Sequence, residues 1–462
     1  MSASHPRLCL TVLSSLVLAT LAPLAQASTP ADPAVLMISI DGLHPDYITQ
    51  AERFGVQAPV LRRFLDQGAY AQRVINVTPT VTYPNHTALV TGGSPQEHGI
   101  YTNTVFDPMG LEAGAWNWYG SQITAPTLWD AAKAKGMTTA AVLWPVSVGH
   151  PAIDYNVPEF WRNKRPYDYQ LMSAVSTPRG FLQSVEQHTG HRYHAGKDGL
   201  ELDGKSTAVA LQMLAQGKPQ LLTVHLVALD GAQHEHGPLN AHSLPVLEQV
   251  DGMVGQIISA HRQLFPQGTV VIASDHGFHP VNHLINLNAA FAQAGLISLD
   301  DADAPSPKVR DWQAYAWNSG GSASVVLKDR NDTQTLARVE QLLARLAADP
   351  ANGIKTVLRG QDAIADGALP QASFLVDAHG GHAMGGALTG PVVTPTARTT
   401  GTHGYRNSHP EMSSAFFITG PGIQPGRNLG TIDIRQIAPT LAARLGVDLP
   451  SARQPALQLG QQ

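Results

Sequence analysis

The 462-residue sequence is nearly without cysteine: Cys9 is the only one. Any mature chain that begins beyond Cys9 therefore has no disulfide framework, no thiolate metal site and no cysteine nucleophile. Charge is scarce too. Charged residues make up 14% of the chain and the formal net charge is -5, which gives no sign of a basic surface for a nucleic-acid scaffold. Small anionic substrates are not excluded, because a local metal cluster overrides net charge. No linker-like tract, internal repeat or low-complexity segment divides the sequence, so the length suits one large α/β domain with insertions. The hydrophobic fraction of 43% is enough for a sizeable core.

Residues 1–27 read as a secretory leader. Arg7 is the only lysine or arginine there, residues 8–24 are almost wholly apolar, and Ala25-Gln26-Ala27 supplies a small-x-small cleavage site. The competing reading is a membrane anchor, but the apolar run falls short of the ~20 residues a spanning helix needs. The expectation is a mature chain, 28–462, that is periplasmic or secreted, carries no stable membrane insertion, and depends on its core and on bound metal for stability.

Residues 34–40 (AVLMISI) form a continuous apolar run ending in Asp41-Gly42, the pattern of a strand buried on both faces of a parallel sheet. Similar runs occupy 138–144, 221–229, 269–274 and 415–419. Helical patterns over 58–67, 125–135, 206–215, 244–265 and 335–348 separate them. This alternation predicts a doubly wound α/β fold: a mostly parallel central sheet with helices on both faces. Segments 146–202 and 298–317 do not fit it and are expected as insertions near the active face.

Ligands bind beyond the carboxyl ends of the strands in such sheets, and Asp41, Asp230 and Asp275 all stand there. Three carboxylates converging on one rim repel unless cations hold them. Asp230 and His234 have the i, i+4 spacing of carboxylate and histidine ligands on a helix, although that pair alone is more often a surface hydrogen bond. Asp275-His276-Gly277 follows a strand, with the glycine expected to turn the backbone so that both side chains enter a cleft. His403, inside Gly401-Thr402-His403-Gly404, completes the set. Thr82 precedes Tyr83-Pro84-Asn85-His86, where the proline suits a first helical turn and Gly92 suits the stop. Thr82 reads both as a helix N-cap and as a hydroxyl whose alkoxide a helix dipole and a cation would stabilise.

Taken in order, Asp41-Gly42, Pro79-Thr80-Val81-Thr82-Tyr83-Pro84-Asn85-His86, Thr91-Gly92, Pro95, His98-Gly99-Ile100, Asn103, Trp144-Pro145, Asp230, His234, Gly237-Pro238, Ser274-Asp275-His276-Gly277 and His403-Gly404 resemble the nucleotide pyrophosphatase/phosphodiesterase branch of the alkaline phosphatase superfamily. The resemblance spans nearly the whole mature chain and implies an alkaline-phosphatase-like fold. It also implies two zinc ions, one held by Asp230, His234 and His403 and the other by Asp41, Asp275, His276 and Thr82. Thr82 would then be the nucleophile of a phosphothreonine mechanism, and Asn103 would donate to a phosphoryl oxygen. The Cys/Ser-x-Pro-x-Arg setting of sulfatases is missing around Thr82, as are the aspartate-serine pair and arginine clamp of classical alkaline phosphatases. A diester or pyrophosphate bond therefore fits better than a monoester.

By the same resemblance, Tyr83 and Tyr155 would sandwich a nucleobase; alternatively, Tyr155, Phe160 and Trp161 simply pack an insertion. Asp377-Ala378-His379-Gly380-Gly381-His382 offers donors for a further metal that the resemblance does not require. The expected partner is a small phosphodiester or nucleotide, and the sequence is silent on oligomeric state. The same site would also suit phospholipid head groups of choline type or phosphonates. A metal-binding protein without turnover is a third reading, which leaves Thr82 and Asn103 without a purpose.

Overall fold

The computed structural model describes residues 1–4, 33–112, 115–160, 169–193 and 199–460. By internal contacts the chain divides into Met1–Ala31 and Asp32–Gln462. The expected leader lies outside the described residues apart from the first four, as does Trp161. Among the described residues, no helix is long and apolar enough to cross a membrane.

An eight-stranded sheet forms the centre. Its order is Arg427–Asn428, Ala69–Tyr70, Phe416–Thr419, Thr269–Ala273, Val35–Ile40, Leu221–Leu226, Thr139–Val142 and Tyr155–Val157. Val35–Ile40 pairs in parallel with both Leu221–Leu226 and Thr269–Ala273, and is buried throughout. Because side chains alternate along a strand, Leu36, Ile38 and Ile40 enter one core while Val35 and Met37 enter the other. Helices Pro59–Gln67, Gly199–Gly217 and Ser243–Leu264 supply residues to the first core, and Thr82–Thr91, Leu128–Ala134 and Ile437–Leu445 to the second. The sheet is thus doubly wound, as its continuous apolar strands imply. Each fully buried Leu, Ile or Met contributes about 1.5–3 kcal/mol.

Three features go beyond the sequence reading. Phe416–Thr419 runs antiparallel to its neighbours; an apolar run buried on both faces looks the same in either direction. Tyr155–Val157, inside the segment expected as an insertion, is the parallel edge strand of the central sheet. Residues 279–405 build two larger sheets beside a two-stranded antiparallel pair, Ile297–Leu299 with Val309–Trp312. One orders Ala314–Asn318, Ser322–Leu327, Ala372–Ala378 and Ile354–Arg359, all antiparallel, and shares a separate core with helix Thr333–Ala348. The other places His279–Ile285 between Gly381–Met384 and Val393–Thr402. Pairing of Thr402 with His279 and of Gly401 with Pro280 brings the chain back to the rim, where His403 follows.

Candidate active site and metal centre

Asp41 ends its strand at Gly42, whose φ of 71° is one L side chains rarely adopt. A Cβ at Gly42 would also lie 2.6 Å from the Phe278 ring, so only glycine fits this turn. Asp275 anchors it from the neighbouring strand end, accepting the Gly42 N–H at 3.2 Å. Asp230 and His234 lie on helix Ala228–His236. Its first N–H groups are taken by the buried Asp203, which accepts from Val227 N at 2.8 Å and Ala228 N at 3.0 Å. Gln233 ties that helix to the turn, donating to Gly42 O at 3.0 Å.

Two triads result. In one, His276 Nε2 lies 3.2 Å from Asp41 Oδ1 and 3.1 Å from Asp275 Oδ2, all three residues buried. In the other, His234 Nε2 lies 3.4 Å from Asp230 Oδ1 and 3.2 Å from His403 Nε2, while His403 Nε2 is 3.7 Å from Asp230 Oδ1. The triads adjoin through His276 and His403, whose rings stack at 3.6 Å with planes 9° apart.

The histidines are oriented from behind. His234 Nδ1 donates to Gly401 O and His403 Nδ1 to Thr80 O, both at 3.0 Å, and His276 Nδ1 to Gly277 O at 3.3 Å. A carbonyl only accepts, so each Nδ1 carries the proton and each Nε2 presents a lone pair inward. Burial, then the charges of Asp230 and Glu159, raise the Asp41 carboxyl well above the usual range, and burial followed by the Asp41 charge does the same to Asp275. Burial, then neighbouring imidazoles, hold His276 and His403 well below theirs. Asp41 Oδ1, Asp230 Oδ1, Asp275 Oδ2 and His276 Nε2 are buried without a hydrogen-bond partner. Orphaned carboxylate oxygens facing imidazole lone pairs are the donor set that two divalent cations would satisfy.

Thr82 is the first residue of helix Thr82–Thr91, with Val81 as N-cap and Gly92 closing the helix at φ 68°. The hydroxyl is therefore not the N-cap group the sequence suggested. His86, one turn on, lies with Nδ1 2.9 Å from Thr82 O and 3.5 Å from Asp275 Oδ2, linking the threonine to the first triad. Gly404 N donates to Thr80 O at 2.9 Å, binding the preceding segment to the loop of the second triad. Asn103 Oδ1 accepts the Tyr83 N–H at 2.8 Å, beside Thr82.

The tyrosines do not form a pair. Tyr83 is fully buried, edge-on to Trp116 at 5.3 Å. Tyr155 packs edge-on to Phe181 at 5.5 Å and belongs to a different core. The structure does not bring the two rings of the expected sandwich together, because an edge strand places Tyr155 against Phe181 and Gly217. Gly277 likewise serves otherwise than expected: its φ is not in the left-handed region. A Cβ there would collide with the Glu411 carbonyl, so glycine allows a close approach of two loops.

Sequence reasoning missed the support beneath the site. His225 Nε2 lies 3.0 Å from Asp41 Oδ2, and its Nδ1 donates to Leu143 O at 3.1 Å. Glu159, 3.9 Å from His225, is pushed up to about 8 by burial. The available signal was a histidine interrupting the apolar strand Leu221–Leu226.

Residues 35–406 match the family model described as type I phosphodiesterase / nucleotide pyrophosphatase. The chain belongs to that family, within the alkaline phosphatase superfamily, and with it to the phosphodiester and pyrophosphate hydrolases. Human bis(5'-adenosyl)-triphosphatase ENPP4 is 22% identical over 92% of this chain and 80% of its own length. Human ectonucleotide pyrophosphatase/phosphodiesterase family member 1 is 24% identical over 53% of this chain, a match spanning only 23% of that longer protein. Human ENPP5 superposes with a TM-score of 0.62 at 20% identity, covering 93% of this chain and 97% of that one. An inactive form of murine ENPP5 in complex with AMP gives 0.64 at 19%, covering 92% and 98%. At such identities the superpositions show the fold.

Proposed function

We propose that the chain is an exported, zinc-dependent phosphodiesterase that hydrolyses nucleotides or related small diesters through a phosphothreonine intermediate. The observation that carries this reading is the convergence of two carboxylate–imidazole triads beside Thr82 and Asn103. Asp230, His234 and His403 would hold one ion, and Asp41, Asp275, His276 and Thr82 the other; imidazole nitrogen in both triads favours zinc over magnesium. When bound, the ions would supply Lewis acidity, lowering the threonine hydroxyl's pKa and offsetting charge on the leaving oxygen.

Thr82 Oγ1 then attacks phosphorus in line, the P–O bond to the leaving group breaks, and a phosphothreonine ester forms. Water cleaves that ester from the vacated side and returns the hydroxyl. Asn103 serves both steps. Its Oδ1 faces the Tyr83 N–H, so its Nδ2 is the donor for a non-bridging oxygen.

The nucleotide preference draws on the relatives, since ENPP4 is named for a dinucleotide substrate and murine ENPP5 has been seen with AMP. Export draws on the leader-like residues 1–27. A hydrolysis panel of bis(p-nitrophenyl) phosphate, p-nitrophenyl phosphate, ATP, p-nitrophenyl phosphorylcholine and phosphonoacetate tests the proposal. Diester and ATP turnover well above the monoester is the expected result. Preference for the choline ester or for phosphonoacetate would transfer the same site to head-group or phosphonate chemistry, and no turnover at all would overturn the enzyme reading.

A further inference from the structure

Outside the two triads, three more donors meet. His279 Nε2 lies 3.0 Å from His409 Nδ1 and 3.4 Å from Glu411 Oε2, and the three atoms fall within 4.8 Å of one another. A tetrahedral zinc with bonds of about 2.0–2.1 Å separates its ligands by about 3.3 Å, so the group needs little adjustment to hold one. Both imidazoles are buried, whereas the Glu411 side chain is 52% exposed and leaves a path to solvent.

The far side of His409 is built as metal-ligating histidines usually are. His409 Nε2 lies 2.9 Å from Asp377 Oδ2, and Asp377 is fully buried, its other oxygen accepting the Arg406 N–H at 3.0 Å. A carboxylate there fixes the proton on Nε2 and turns the Nδ1 lone pair toward His279 and Glu411. Lys355 Nζ, 3.0 Å from the same nitrogen, supplies positive charge beside Asp377.

We propose that His279 Nε2, His409 Nδ1 and the Glu411 carboxylate bind a third divalent ion, zinc by its donor set, with a water completing the coordination. Asp377 is the only member of the histidine-rich 377–382 segment that takes part, and it does so from behind His409. His379 and His382 join no donor group among the described residues. The ion would pin the start of strand His279–Ile285 to the segment that follows His403. His279 stands three residues after His276, while His409 and Glu411 lie on the segment leaving His403, and Gly277 already packs against the Glu411 carbonyl. A mature chain without cysteine has no disulfide to do this. The competing arrangement holds no ion: Lys355 donates to His409 Nε2, and Nδ1–H donates to His279.

The test is metal stoichiometry in full-length protein saturated with zinc and freed of excess ion, measured by native mass spectrometry and elemental analysis. Glu411→Gln, at a half-exposed position, and His409→Ala are each expected to hold one ion fewer per chain than the unmodified protein. Far-UV circular dichroism checks that both remain folded. Because the result is a difference of one, it holds whether the catalytic centre retains two ions, one or none. Cobalt replacing the zinc should show a tetrahedral visible band component that is lost in Glu411→Gln. Equal stoichiometry and equal cobalt spectra in the folded Glu411→Gln protein and the unmodified one would overturn the proposal.

Discussion

The Tyr83 backbone N–H donates to Asn103 Oδ1 at 2.8 Å. One bond therefore both satisfies a free N–H in the first turn of the Thr82 helix and decides which end of the Asn103 carboxamide faces outward. Asn103→Ala should lower kcat for a diester by about 10²–10³-fold while metal content stays unchanged. Asn103→Asp keeps the acceptor for Tyr83 but has no Nδ2–H, and should lose as much. Near-normal kcat in the aspartate variant would show that Asn103 only supports the helix.

Thr82→Ala should abolish turnover without emptying the site, since the threonine is one metal donor among several but the only nucleophile in the proposal. Elemental analysis alongside bis(p-nitrophenyl) phosphate hydrolysis checks this. Full metal with near-normal hydrolysis would rule out a covalent phosphothreonine.

Chelation should inactivate the protein, and zinc should restore it, because His234, His276 and His403 bring nitrogen donors to the two triads. Titration of chelator-treated protein with zinc or magnesium separates the cases. Recovery with magnesium alone would contradict the donor-set argument.

Tyr155→Ala should cost stability, about 1–3 kcal/mol for a partly buried core side chain, and alter nucleotide and base-free diester hydrolysis equally. The ring packs on Phe181 in the core away from Tyr83. A rise in KM confined to nucleotides would restore the base-stacking role that the packing argues against.

Glu159 provides a pH test. Burial raises its folded-state pKa to about 8 from an ordinary 4.5, with the His225 charge acting in the opposite direction. Between those values the folded chain holds a proton that the unfolded chain has released, so this residue makes stability fall as pH rises from 4.5 to 8 and then level off. In urea unfolding of zinc-loaded protein at pH 5, 7 and 9, Glu159→Gln should lose less stability across that window than the unmodified chain. Parallel pH dependences would mean that Glu159 is ionised throughout.

Much of the site was legible in contiguous residues. Strand ends followed by Asp41 and Asp275, the Asp230/His234 spacing and the Thr82 helix are local patterns, and local patterns survive without the fold. The apolar runs determined a doubly wound sheet because a strand buried on both faces leaves no polar alternation. Tertiary structure decided what depends on distant partners. His225 reaches Asp41 across 184 residues of sequence, and Gly277 meets Glu411 rather than turning the chain. Tyr155 became an edge strand only because Thr139–Val142 was there to pair with it. The 279–405 sheets left little trace, since most of their strands are short and of mixed composition, and their pairing, parallel for Gly381–Met384 and antiparallel for the rest, is set by neighbours far along the chain. Sequence alone thus determined which residues are candidates for metal binding and for the proposed attack on phosphorus. Packing decided which of them meet, because convergence is a property of long-range contacts.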